Sequence, residues 1–124
     1  MRHAFILLAM SCVLHTGCGS MPRSTGRGLT HAVFFSLSKP GDASELVADC
    51  SSLAVLPGVT WCSAGTPVDI GRPNVDANYE VGLVIAFRSV ADYQEYLNHP
   101  AHTRLVDKWR PRWKSVFIRD FGGS

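Results

Sequence analysis

The stretch Tyr79-Glu80-Val81-Gly82-Leu83-Val84-Ile85-Ala86-Phe87 has the clearest structural signal in the chain. Large apolar side chains occupy every second position from Tyr79 to Phe87, which is the spacing of one face of a β-strand. The residues between them are also mostly small or apolar, with Val84 the largest. A strand of this kind is covered on both faces. The sequence therefore predicts a strand at 79–87 that packs between two layers.

The chain before this strand predicts a strand, a helix and a second strand. His31, Val33, Phe35 and Leu37 share one face of the first strand, and Pro40-Gly41 ends it. Asp42 and Glu45 form a capping-box-like helix start, with an apolar stripe behind them at helical spacing. The predicted elements are a strand at 31–37, a helix at 43–54 ended by Leu56-Pro57-Gly58, a strand at 59–64 and a loop at 65–78.

The chain after this strand predicts two helices and a last strand. Ser89 and Asp92 open the first helix in the capping style, and Pro100 suits the first turn of the second. Pro111 ends the second helix. The predicted elements are a helix with Val90, Tyr93 and Leu97 on its inner face, a helix from Pro100 to Trp109, and a strand from Trp113 to Phe121.

The order of these elements predicts an α+β fold of the ferredoxin-like type, with a four-stranded antiparallel sheet and helices on one face. Apolar neighbours such as Phe34 and Phe35, or Val116-Phe117-Ile118, place large side chains on both faces of several strands. Helices on one side cannot cover both faces. We therefore expect the second face to meet the sheet of an identical subunit in a homodimer.

The formal net charge of the 124-residue chain is +2 at pH 7, which is too small for a nucleic-acid-binding surface. The N-terminus resembles an export signal, since Arg2 precedes an apolar run that ends at Thr16-Gly17-Cys18. Gly17-Cys18 is similar to a bacterial lipobox, so we expect an envelope lipoprotein anchored at Cys18, or a secreted protein. The predicted parts are a signal peptide at 1–18, a flexible tether at 19–29 and one domain at 30–121.

After cleavage of this leader, Cys50 and Cys62 are the only cysteines inside the predicted domain. They can pair in an oxidising compartment or remain as buried thiols, and the sequence leaves both states open. No cofactor is predicted. A metal or haem site at His31, His99 and His102 is a minor alternative, because these residues lack the spacing of a metal motif.

Three side chains combine residue types that suit acid–base chemistry. His102 falls in register with Leu105 and Trp109, so its helix turns the imidazole inward, and His31 lies on an apolar strand face. With Tyr96 they can converge on one apolar cavity. There an imidazole can take a proton near pH 7 and a phenol can stabilise an oxyanion. Alternatively, both histidines are hydrogen-bonded core residues without a chemical role.

The segments Thr30 to Leu37, Leu56-Pro57-Gly58, Tyr79 to Phe87 and Tyr96-Leu97-Asn98-His99-Pro100-Ala101-His102 together resemble the stress-responsive dimeric α/β-barrel (Dabb) family. The resemblance spans about 30 to 121 and implies two subunits whose sheets pack into an α/β barrel. In plant polyketide cyclases of this family, a tyrosine and a histidine of the matching segment are catalytic. The resemblance therefore implies that Tyr96 and His102 are catalytic here and that His31 lines the pocket.

His99 is grouped with His31 as a candidate substrate-binding residue. Its place just before Pro100, at a helix junction, also suits a capping role.

Three hypotheses follow for the function. The first is a homodimer whose barrel interior holds a small apolar or aromatic molecule. The second is an acid–base enzyme, similar to a polyketide cyclase, that uses His102 and Tyr96. In the third, which is purely structural, the aromatic side chains of Phe34, Phe35, Trp61 and Phe117 fill the barrel.

Overall fold

The computed structural model describes residues 27–122. The predicted signal peptide with Cys18, and most of the predicted tether, lie outside the described residues. Within 27–122, no helix is long and apolar enough to cross a membrane.

The described chain forms four strands, three α-helices and three short 3-10 turns. The turns are Pro40–Asp42, Ser52–Val55 and Arg110–Arg112. The regular elements are β1 (Leu29–Leu37), α1 (Ala43–Ser51), β2 (Val59–Gly65), β3 (Val81–Phe87), α2 (Val90–Asn98), α3 (Pro100–Trp109) and β4 (Trp113–Gly122).

The four strands form one antiparallel sheet in the order β2-β3-β1-β4. The central strand β1 pairs with β3 and β4, so that His31 lies beside Ile85 on one side and Asp120 on the other. This arrangement confirms the ferredoxin-like prediction. The three helices cover the face that carries the odd-numbered residues of β1.

The hydrophobic core lies between this face and the helices. It contains Val33, Phe35 and Leu37 from β1, packed against the fully buried side chains of Leu46 and Trp109. Burial of such side chains contributes roughly 1.5–3 kcal/mol each. The structure therefore corrects the barrel-filling hypothesis at Phe35, which belongs to the helix-side core.

The opposite face of the sheet is open in the single subunit and carries large apolar side chains. Trp61, Phe117 and Phe121 are exposed at 56%, 51% and 56%, and Phe34 lies next to Phe117 in the strand register. The pattern of two apolar faces predicted from sequence is therefore present. We call the surface formed by Phe34, Trp61, Val84, Phe117 and Phe121 the open sheet face.

The capping-box prediction at the start of α1 is wrong. A 3-10 turn precedes α1, and the Asp42 side chain makes no cap hydrogen bond. Its carboxylate instead accepts from Arg112 Nε at 3.1 Å, and Glu45 accepts from Arg112 Nη2 at 2.7 Å. The Arg112 guanidinium is a charged donor that binds both carboxylates at once, whereas a backbone N–H at the cap is uncharged.

The inner face of α2 also differs from the prediction. Val90 and Leu97 are exposed, whereas Tyr96 is buried and Tyr93 is half-buried. Tyr93 and Tyr96 lie three residues apart, on one side of the helix. The predicted cap at Ser89 is confirmed, because its hydroxyl accepts from the Asp92 backbone N–H at 3.1 Å.

Candidate functional site

A small cavity of about 70 Å³ lies between the sheet and the helices. His31 from β1, Tyr96 from α2 and His102 from α3 all line it, so the three predicted residues do meet. The other lining residues are apolar and include Leu53, Leu83, Leu105, Val106 and Trp113. A water occupies about 30 Å³ in the liquid and a cavity of about 150 Å³ holds benzene, so this space holds roughly two waters and admits a ring only when lining side chains move.

His102 is oriented by a backbone carbonyl. Its Nδ1 lies 3.1 Å from the Leu97 oxygen, and because a carbonyl can only accept, Nδ1 must hold the proton. In the neutral ring Nε2 therefore keeps its lone pair. Burial lowers the pKa of His102, more strongly than the Leu97 hydrogen bond raises it. The geometry thus favours a neutral imidazole with one free acceptor.

Tyr96 is the nearest aromatic partner of His102, with the ring centroids 4.5 Å apart. Its side chain is almost fully buried. Burial, with a smaller contribution from the neighbouring Cys50 and Cys62, raises the pKa of the phenol. Tyr96 is therefore a neutral hydroxyl, able to donate a hydrogen bond, beside the imidazole of His102.

His31 belongs to a polar cluster that the sequence analysis did not identify. Its Nδ1 donates to Asp120 Oδ1 at 2.5 Å, and the Tyr93 hydroxyl donates to Asp120 Oδ2 at 2.9 Å. The Tyr93 oxygen also lies 3.2 Å from His31 Nδ1. Burial and the hydrogen bond to Asp120 raise the pKa of Tyr93 to about 12.

This cluster holds the His31 ring in one orientation, with Nδ1 protonated. The alternation of side chains along β4 could have placed Asp120 on the inner face, since it shares that face with Val116 and Ile118. Its pairing with His31 depends on the β1–β4 register, which the sequence analysis did not assign.

His99 lies apart from these residues and does not line the cavity. Its Nδ1 accepts from the Ala101 backbone N–H at 3.1 Å and caps the start of α3. The structure therefore corrects its grouping with His31 as a substrate-binding residue and gives it a capping role. Among residues 27–122, no three His, Cys, Asp or Glu side chains are grouped as a metal site.

The cavity is also on the opposite side of the sheet from the expected barrel interior. A wider depression of about 360 Å³ does lie on the open sheet face, beside Phe34, Tyr79 and Phe117. None of the three predicted residues lines it, because their strand positions and helices face the other way. The three predicted residues therefore line a cavity under the helices within one subunit, and a ligand in the barrel interior stays a prediction.

The fold and this cavity define a class of protein, the ferredoxin-like α+β subunit with a pocket between helices and sheet. The chain belongs to the stress-responsive A/B barrel domain family, whose sequence model matches residues 29–122. The match confirms the family resemblance seen in the sequence.

One curated relative and two solved structures illustrate the range of proteins that this chain resembles. Olivetolic acid cyclase of Cannabis sativa is 32% identical over 53 residues, 43% of this chain and 52% of that protein. The match thus spans about half the length of the relative. A dimeric ferredoxin-like protein of unknown function from Thermobifida fusca has a TM-score of 0.66 and 20% identity, covering 80% of this chain and 93% of its own. Hydroxynitrile lyase from Passiflora edulis has a TM-score of 0.68 and 16% identity, covering 79% and 94%.

Proposed function

We propose that this protein is a homodimer that binds a small oxygenated aromatic molecule in the helix-side cavity of each subunit. The observation that carries the proposal is the polar pair in an apolar cavity, the free Nε2 of His102 beside the Tyr96 phenol. Apolar walls with a few convergent polar groups are typical of small-molecule sites. Because the cavity has about half the volume that benzene needs, a one-ring ligand enters it only when lining side chains move aside.

Acetophenone and ethylbenzene form a suitable pair of probes, because they have similar shapes and only the ketone has an oxygen. We expect both to shift amide signals of cavity residues in protein NMR spectra, with acetophenone binding several-fold more tightly. A hydrogen bond contributes about 0.5–1.5 kcal/mol, a factor of roughly 2–12 in affinity. Equal affinities would contradict a role for the polar pair.

Val106→Phe should fill the cavity from α3 and abolish the amide shifts caused by acetophenone and by ethylbenzene. Val47→Phe is the matched control, because Val47 is also a partly buried helical valine but does not line the cavity. Binding that survives Val106→Phe would exclude this cavity as the binding site.

The orientation of His102 supports a second candidate function, proton transfer next to a carbonyl group. In this reaction His102 Nε2 would take a proton from the carbon beside the carbonyl, and the Tyr96 hydroxyl would donate a hydrogen bond to the enolate oxygen. The proton then returns from His102 to the carbon. The cyclase activity in the name of the Cannabis relative belongs to that protein and supports this candidate only by similarity.

Deuterium uptake into the methyl group of acetophenone in D₂O tests this second function. A general base contributes typically 10²–10⁴-fold, so His102→Gln should reduce the exchange rate by about that factor. Tyr96→Phe should reduce it as well, and His99→Asn should leave it unchanged. Exchange no faster than in buffer would leave binding as the function.

We also propose that the protein is exported and anchored through Cys18. The sequence pattern at 1–18 supports this, together with the small residues Thr16 and Gly17. Cys18→Ala should abolish palmitate labelling and recovery in the membrane fraction. Unchanged partitioning would exclude lipidation.

A further inference from the structure

The two cysteines of the described chain lie against each other beside the candidate site. Cys50 is fully buried in the last turn of α1, and Cys62 is half-buried on β2. The Cys62 thiol points to the Cys50 carbonyl oxygen, with Sγ 3.8 Å away. Both are free thiols in this structure. One belongs to a helix and the other to the strand beneath it, so a bond between them would join two layers of the fold.

We propose that Cys50 and Cys62 are a disulfide site, in which oxidation links the end of α1 to β2. The inference rests on the contact between the two residues and does not depend on the proposed ligand. The oxidant is a disulfide, supplied by a small molecule or by a thiol–disulfide oxidoreductase.

The reaction proceeds by two exchanges. The more exposed Cys62 sulfur attacks the oxidant disulfide, whose S–S bond breaks and releases one thiol that takes up the Cys62 proton. The Cys50 sulfur then attacks the Cys62 sulfur in the mixed disulfide and displaces the second thiol, which takes up the Cys50 proton. Two electrons pass from the protein to the oxidant, which leaves as two thiols.

Burial controls the rate of the second exchange. It raises the pKa of Cys50 to about 12, with a smaller contribution from Cys62, and raises the pKa of Cys62 as well. Because the thiolate is the nucleophile, ring closure is slow near neutral pH and accelerates as the pH rises. A buried disulfide of this kind also resists reduction once it has formed.

The position of the pair connects it to the cavity. Leu53, which lines the cavity, lies one turn after Cys50. Both thiols also lie close enough to Tyr96 to contribute to its raised pKa. The disulfide would hold the segment that carries Leu53 against the sheet, so the oxidised protein has a more rigid cavity wall.

Oxidised glutathione applied to the full chain at mildly alkaline pH tests the inference. Chymotrypsin cleaves at aromatic and large apolar residues such as Leu53 and Trp61, between the two cysteines. A linked pair of peptides is therefore expected by mass spectrometry, and dithiothreitol should separate it. Closing a short loop should raise the Tm by roughly 10 °C.

Cys62→Ser is the control variant, because Cys62 is only half-buried and the variant should fold. It should give neither the linked peptides nor a change in Tm under the same treatment. Glutathione retained on Cys62 with no link to Cys50 would overturn the proposal, as would an unchanged Tm in the wild-type protein.

Discussion

Two imidazoles line the cavity, and each uses Nδ1 to anchor the ring. His102 donates to the uncharged carbonyl of Leu97, whereas His31 donates to the carboxylate of Asp120, which Tyr93 also contacts. His102 therefore has a free Nε2 without a charged partner. This difference makes His102 the better candidate for a neutral base and gives His31 a role in shaping the pocket.

The lowered pKa of His102 makes a prediction about stability and pH. Below its ordinary pKa of 6.5, the unfolded chain takes up a proton that the folded ring resists. The free energy of unfolding should therefore fall as the pH drops through this range, and the His102 contribution should be constant above it. His102→Gln should flatten that decline in urea unfolding between about pH 7.5 and about pH 5.5.

His99, which precedes α3, caps that helix and does not line the cavity. His99→Ala should lower the free energy of unfolding by about 1 kcal/mol, because the Ala101 N–H loses its acceptor. His99→Asn should restore most of that loss, since asparagine is a good N-cap. Acetophenone affinity should not change in either variant. A lower acetophenone affinity in a variant with unchanged stability would show that His99 contributes to binding.

Helices α2 and α3 together position the His102 ring. The carbonyl of Leu97, in the last turn of α2, orients His102 in the first turn of α3, while Tyr96 packs on its ring. His99 and Pro100 allow the chain to turn between the two helices without a loop. The short motif therefore brings the candidate base and its phenol partner together through local geometry.

In the folded subunit, the sheet separates two surfaces of different character. The helix side contains the cavity, and the open sheet face presents the aromatic residues Trp61, Phe117 and Phe121. Exposed aromatic patches of this kind mark interaction surfaces. A homodimer formed through this face would leave both cavities accessible from the helix side.

Phe34→Asp should produce monomers, because the charge would be placed on the open sheet face and buried in the dimer. Val55→Asp is the matched control, since Val55 is 87% exposed and follows α1 on the helix side. Mass measurement by light scattering would show a monomer for the first variant and a dimer for the second. A dimer that survives Phe34→Asp would mean that another surface joins the subunits.

Four features could be predicted from local sequence alone: the order of the elements, the two apolar faces of the strands, the cap at Ser89 and the start of α3 at Pro100. These features depend on periodicity and on contacts within a few residues, which a single chain displays directly. The inward turn of His102 was predictable for the same reason. It depends only on the helical spacing of His102 with Leu105 and Trp109, which lie within seven residues of it.

The side of the sheet that holds the candidate site became clear from the packing of the helices on the strands. The tertiary structure also brought Asp120 to His31, paired Arg112 with Asp42 in place of a helix cap, and placed Cys62 against Cys50. These contacts join residues that are distant along the chain, and strand register with layer packing sets them. A side chain's partner across the fold is not contained in its local pattern, so the arrangement of the candidate site depends on the assembled sheet.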